Sequence, residues 1–78
     1  MNIPLKNVIA GVQNKSNVVL TIAHREGKEY EALTKRMTEV AGMIEILSHA
    51  DSPNYPAIHW LRRYQDQLYC WRRDLHEQ

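Results

Sequence analysis

Two runs of apolar residues at alternating spacings of three and four constrain this chain more than any other feature. The first is Tyr30, Leu33, Met37, Val40, Ile44 and Leu47; the second is Ala57, Leu61, Tyr64, Leu68, Trp71 and Leu75. Such spacing places every member of a run on one face of a helix, so residues 28–49 and 56–76 are expected to be amphipathic helices. Between them Ser48-His49-Ala50-Asp51-Ser52-Pro53-Asn54-Tyr55-Pro56 holds turn formers and two prolines, through which a helix cannot continue. Pro56 suits the first turn of the second helix, with Asn54 as its cap. Two helices of similar length across a short loop make an antiparallel hairpin. Leu33, Met37, Val40, Ile44 and Leu47 would then meet Leu61, Tyr64, Leu68 and Trp71, as core or as the seam of an oligomer. Glu29, Glu31, Lys35, Arg36, Glu39 and Glu45 read as flanks of the first seam, while Ala41, Met43 and Ile46 widen its stripe. Gly42 costs about 1 kcal/mol in a helix relative to Ala, which predicts close approach of another helix there.

The first 27 residues admit two readings. Leu5, Val8, Ile9 and Val12 have helical spacing, and Ser16 or Asn17 suits the cap of a helix running through Val19, Ile22 and Ala23 toward Gly27. This favours an all-α fold in which the hairpin is joined by an N-terminal helical segment, with a bend at Gly27. The alternative is an α+β fold with a β-hairpin formed by residues 7–12 and 18–23, which are rich in β-branched residues, around a polar turn at 13–17. An isolated two-stranded hairpin is marginal unless it packs on the helices.

Seventy-eight residues describe one small domain. A domain of this size buries only about 60% of its unfolded surface. Its one cysteine, Cys70, cannot form an internal disulfide. Tight packing, a metal or self-association must make up the difference, and a homodimer or higher oligomer is expected. The run from Val18 to Ala23 is too short for a signal sequence or a membrane span, which points to a soluble cytoplasmic protein. Ten Lys and Arg nearly balance nine Asp and Glu, an unfavourable charge for wrapping nucleic acid. The middle segment is acidic and the last carries four arginines, so these two helices are expected to face each other.

No residue pattern marks a reaction. His24, His49, His59 and His76 form no i, i+4 pair, and Cys70 has no cysteine partner for a zinc site, so no metal or cofactor is expected. Gly11, Gly27 and Gly42 are isolated rather than arranged in a phosphate loop. Cys70, between Leu68 and Trp71, reads as a small buried hydrophobe. The last helix is chemically richest, and Trp60, Arg62, Arg63, Tyr69, Arg72 and Arg73 are the candidate partner-binding residues. Arginine with Trp and Tyr is the composition of protein-binding hot spots and of sites that stack bases and grip phosphates. The plainer reading pairs Arg62 and Arg63 with Asp66 and Arg73 with Glu77 on an ordinary solvated face.

Tyr30-Glu31-Ala32-Leu33, Glu39-Val40-Ala41, Ile44-Glu45-Ile46-Leu47, the loop Asp51-Ser52 and Trp71 near the end carry a resemblance. Over residues 28–78 the chain resembles small all-helical phage proteins that sequester the cyclic nucleotide signals of bacterial anti-phage defence. That resemblance implies an oligomer binding cyclic nucleotides between subunits, with no ligand-contact residue carried over. Pro53-Asn54-Tyr55-Pro56 also resembles the turn of type III secretion needle subunits, but the chain ends before their C-terminal helix would. The expectation is a non-enzymatic phage-type or bacterial accessory protein that binds a host protein, inhibiting or adapting it. The alternatives are a cyclic-nucleotide sponge and a weak nucleic-acid binder.

Overall fold

The computed structural model describes residues 4–77, with side chains through residue 76. It contains three helices: α1 (Leu5–Glu26), α2 (Glu29–Ser48) and α3 (Tyr55–Glu77). The fold is all-α, and α2 and α3 form the expected hairpin. The α+β alternative is overturned, because residues 7–12 and 18–23 lie within one unbroken helix. Val12, Ser16, Leu20 and Ala23 are the buried residues of α1, and their spacing of four, four and three makes a single helical stripe. The β-branched Val18 and Ile22 that favoured strands are exposed. Ser16 caps nothing; it is buried in mid-helix.

Gly27 ends α1 rather than bending a continuous helix. It adopts the left-handed conformation at φ 71°, ψ 27°, which L side chains reach only with strain. The Lys28 amide donates to the Ala23 carbonyl at 2.8 Å and the Gly27 amide to His24 at 3.2 Å, the paired bonds of a Schellman stop. Glu29 and Glu31 follow in the first turn of α2, where the helix dipole favours acidic side chains. At the start of α3 the Ala57 amide donates to Asn54 Oδ1 at 3.2 Å, so Asn54 is the cap and Pro56 occupies the first turn, as expected.

One apolar cluster joins the helices: Val12 and Leu20 from α1, Leu33 and Val40 from α2, Leu61 and Leu68 from α3. Met37, Ile44, Leu47, Tyr64 and Leu75 are partly buried against it. The seams therefore stay packed along most of their length, from the fully buried Ala57 to the partly buried Leu47 and Leu75, with two exceptions. Tyr30 is 47% and Trp71 43% exposed, so of the two readings of the seam Trp71 does not fit the core one. A heptad pattern drifts by about 20° per repeat around a straight helix, and the drift takes these rings out of the core. Ile46 and Ala41 do not widen the buried stripe; both are exposed. Gly42 also departs from expectation, since nothing lies within 4 Å of a Cβ built there. Cys70 is exposed, because two residues beyond the buried Leu68 a helix has turned to its opposite face.

Arg36 is the largest correction. It is fully buried, although its charge reads as a flank. Its Nε donates to Ser16 Oγ at 3.0 Å, its Nη2 to the Val12 carbonyl at 3.3 Å and its Nη1 to Glu39 Oε2 at 3.3 Å. The same carboxylate oxygen accepts from Lys15 Nζ at 2.9 Å. The Lys15 hydrogen bond, aided by the charges of Lys15 and Arg36, holds Glu39 below the ordinary carboxylate range against the opposing effect of burial. The acids of α2 thus pair toward α1. Among the described residues no ion pair joins α2 to α3: the pairs are Lys15–Glu39, His24–Glu29, Arg36–Glu39 and Arg73–Asp74. The expected apposition of an acidic α2 to the arginines of α3 is absent from the described contacts.

Candidate functional site

With 100° between successive residues, the solvent-facing part of α3 divides into two flanks beside its buried stripe of Ala57, Leu61 and Leu68. One flank, with Pro56, Trp60, Tyr64, Gln67 and Trp71, borders α1. The other, with Arg62, Tyr69, Arg72 and His76 around the buried Ile58, borders α2. The six candidate residues are split between them: Trp60 and Arg63 line the α1 side, while Arg62, Tyr69, Arg72 and Arg73 line the α2 side.

The α1–α3 side is a groove with two separate recesses. About 400 Å³ lies among Leu5, Gln13, Pro56, His59, Trp60, Arg63, Tyr64 and Gln67. A further 370 Å³ or so lies among Asn17, Leu20, Thr21, His24, Glu29 and Trp71. Each of the chain's two tryptophans lines one of these two separate recesses, Trp60 the first and Trp71 the second. Trp60 stacks on Tyr64 with ring centroids 5.0 Å apart and planes 12° apart, an offset pair that braces both rings one turn apart on the helix. His24 Nδ1 and Glu29 Oε1 are in hydrogen-bond contact beside the second recess, across the α1–α2 turn.

The α2–α3 side holds two smaller recesses. Ser48, Tyr55, Ile58, His59 and Arg62 bound one of about 360 Å³, and Tyr30, Tyr69, Arg72, Arg73 and His76 bound one of about 170 Å³. In the latter, the Arg72 guanidinium carbon lies 5.5 Å from the Tyr30 ring centroid and 5.9 Å from that of Tyr69. Arg72 Nη1 donates to Thr34 Oγ1 at 3.1 Å. Between the two flanks, Gln65 Nε2 donates to the Met37 carbonyl at 2.8 Å and ties α3 to α2.

The plainer reading of the arginines as paired surface charges holds for one of them, with a different partner. Arg73 pairs with Asp74 at 3.6 Å; pairing with Glu77 involves a side chain outside those described. Neither Arg62 nor Arg63 forms an ion pair with Asp66. Sequence reasoning missed Tyr30, Leu5, Gln13 and His24 as neighbours of these residues. Only the approach of α1 and α2 brings them to α3, and no local pattern encodes it. Among the described residues no three His, Cys, Asp or Glu side chains gather to hold a metal ion, and no helix is long and apolar enough to cross a membrane. The surface presents aromatic ring faces and guanidinium N–H donors. No family model, curated protein or solved structure matches the chain.

Proposed function

We propose that this chain is a non-enzymatic interaction protein that occupies a site on a host protein, inhibiting or adapting it, with α3 as its recognition element. The observation that carries this reading is the α1–α3 side of α3, where one recess is lined by Trp60, half-buried against the core, and a second by Trp71, which stays 43% exposed. Aromatic side chains and arginines dominate the energetics of protein interfaces, and a groove between two helices suits an apolar partner segment. The phage-type setting comes from the resemblance of residues 28–78, and self-association from the exposed aromatic surface on so small a domain. The test begins with capture of the partner from a bacterial lysate and purification of that partner. Binding is then measured for Trp60→Ala, Arg62→Ala, Arg63→Ala and Tyr69→Ala. The expected result is about tenfold or greater weakening in at least one α1-side variant, with the folded circular dichroism spectrum retained. Wild-type affinity in all four, or loss of fold in every variant that binds weakly, contradicts the reading. Light scattering tests self-association separately, and a monomer at every accessible concentration contradicts it.

A second reading, sequestration of a cyclic nucleotide, draws support from Arg63 beside the stacked Trp60 and Tyr64 in a groove of about 400 Å³, within the size range of small-molecule sites. A thermal-shift panel of cyclic nucleotides decides it. Ligand at one hundred times its dissociation constant adds about 2.7 kcal/mol of stability, and no shift with any member removes this reading.

A further inference from the structure

We infer that the recess bounded by Tyr30, Tyr69, Arg72, Arg73 and His76 is a binding site for a phosphoryl dianion, free or carried on an ester, with Arg72 as the residue that grips it. The inference is independent of the groove, because this recess lies on the opposite flank of α3.

Three features set Arg72 apart from an ordinary surface arginine. Its guanidinium is held by the rings of Tyr30 and Tyr69 at 5.5 and 5.9 Å and by the hydrogen bond from Nη1 to Thr34 Oγ1. These contacts fix the planar fork before any ligand arrives, so little side-chain entropy remains to be lost on binding. Among the described residues no carboxylate pairs with it, and the one hydroxyl contact leaves most of its five N–H donors for an acceptor. Arg73 lines the same recess, and its pairing with Asp74 is long, 3.6 Å, with both side chains more than half exposed, so the pair is weak in water.

Two guanidinium groups beside an imidazole ask for more than one negative charge and several acceptor oxygens. A carboxylate offers a single charge and two oxygens, whereas a phosphoryl group offers up to two charges and three oxygens for bidentate bonding. A volume of about 170 Å³ suits the head group itself. Tyr69, 51% exposed, offers a ring face at the rim on which an aromatic ester can stack.

The test is an NMR titration of the full chain at constant ionic strength and pH. Inorganic phosphate and phenyl phosphate are the two arms and sodium chloride is the reference, with the Arg72 side-chain Nε–H and the Thr34 and Tyr69 amides observed. The expected result is a saturable shift at all three for at least one phosphate, with affinity falling about tenfold in Arg72→Lys, which keeps the charge but loses the fork. Arg73→Gln should weaken binding about threefold, and Arg62→Gln, in the other recess, should leave it unchanged. Tighter binding of phenyl phosphate identifies an ester as the ligand; equal affinities identify the free ion. A shift that grows without saturation and matches chloride overturns the inference, as does equal affinity in wild type and Arg72→Lys. Should Arg72→Lys fail to fold, unchanged affinity in Arg73→Gln overturns it instead.

Discussion

Between α2 and α3 the contact is a run of aliphatic side chains, Leu33 and Val40 against Leu61 and Leu68, all fully or almost fully buried. Between α1 and α2 the centre is a charge: Arg36, fully buried, donates to Ser16, to the Val12 carbonyl and to Glu39, which also accepts from Lys15. An aliphatic interface is non-directional and gains with every area of apolar surface removed from water. A guanidinium network is directional, and it holds α1 in one register only while each donor has its acceptor. The difference shows how α1, with only Val12, Ser16, Leu20 and Ala23 buried, is placed on the hairpin without being pressed against α3. The open α1–α3 groove is the result.

The largest effect expected is in the aliphatic interface. Leu68→Ala should cost about 3 kcal/mol in urea unfolding, a large share of the stability of any small domain. Arg36→Ala should cost about as much, roughly 3 kcal/mol, by removing one partner of a buried network. Arg36→Met separates filled volume from directional bonding. A hydrophobe replacing a buried ion is often neutral or stabilising, so Met should recover most of the loss if α1 needs only filled volume. If Met is as damaging as Ala, the directional bonds themselves hold α1.

Two glycines give smaller effects of opposite sign. Gly27→Ala, at positive φ in the turn that sets the angle of α1 to α2, should destabilise by about 1 to 2 kcal/mol. Gly42→Ala has open space before it and should stabilise by up to about 1 kcal/mol; thermal melts of the two variants should move apart. The smallest effect concerns Glu39. Its carboxyl titrates lower in the folded chain than in the unfolded one, so its contribution is present above the ordinary carboxylate range. That contribution is lost as pH falls through the lowered value. Wild type should therefore lose slightly more stability than Glu39→Gln on acidification from neutral pH, by the fraction of a kcal/mol usual for pairs in contact with water.

The hairpin was legible because 3–4 spacing, Asn54 and Pro56 all act locally. The N-terminal segment was ambiguous because Val18, Val19 and Ile22 suit a strand as well as a helix, and the decisive residue, Ser16, reads as a cap until Arg36 is seen to reach it. Arg36 itself lies on the wheel about 40° beyond Val40 and about 60° from Leu33, at the edge of the apolar stripe on the side of Glu39, a position its charge disguises. Trp71 belongs to the heptad count but not to the core, because that count ignores the drift of a straight helix. For the candidate site, the sequence pointed to α3 but not to its two flanks. Which flank a residue joins depends on where α1 and α2 lie, and Tyr30, the partner of Arg72, is 42 positions away in the chain.

Arg62, Tyr69 and Trp71 are the members of the α3 surface least committed to the fold, with Tyr69 and Trp71 51% and 43% exposed. Urea unfolding of Arg62→Ala, Tyr69→Ala and Trp71→Ala beside Leu68→Ala tests this most directly. The first three should stay within about 1 kcal/mol of wild type, while Leu68→Ala loses about 3 kcal/mol. Losses in the first three equal to that of Leu68→Ala would make these residues core and contradict it.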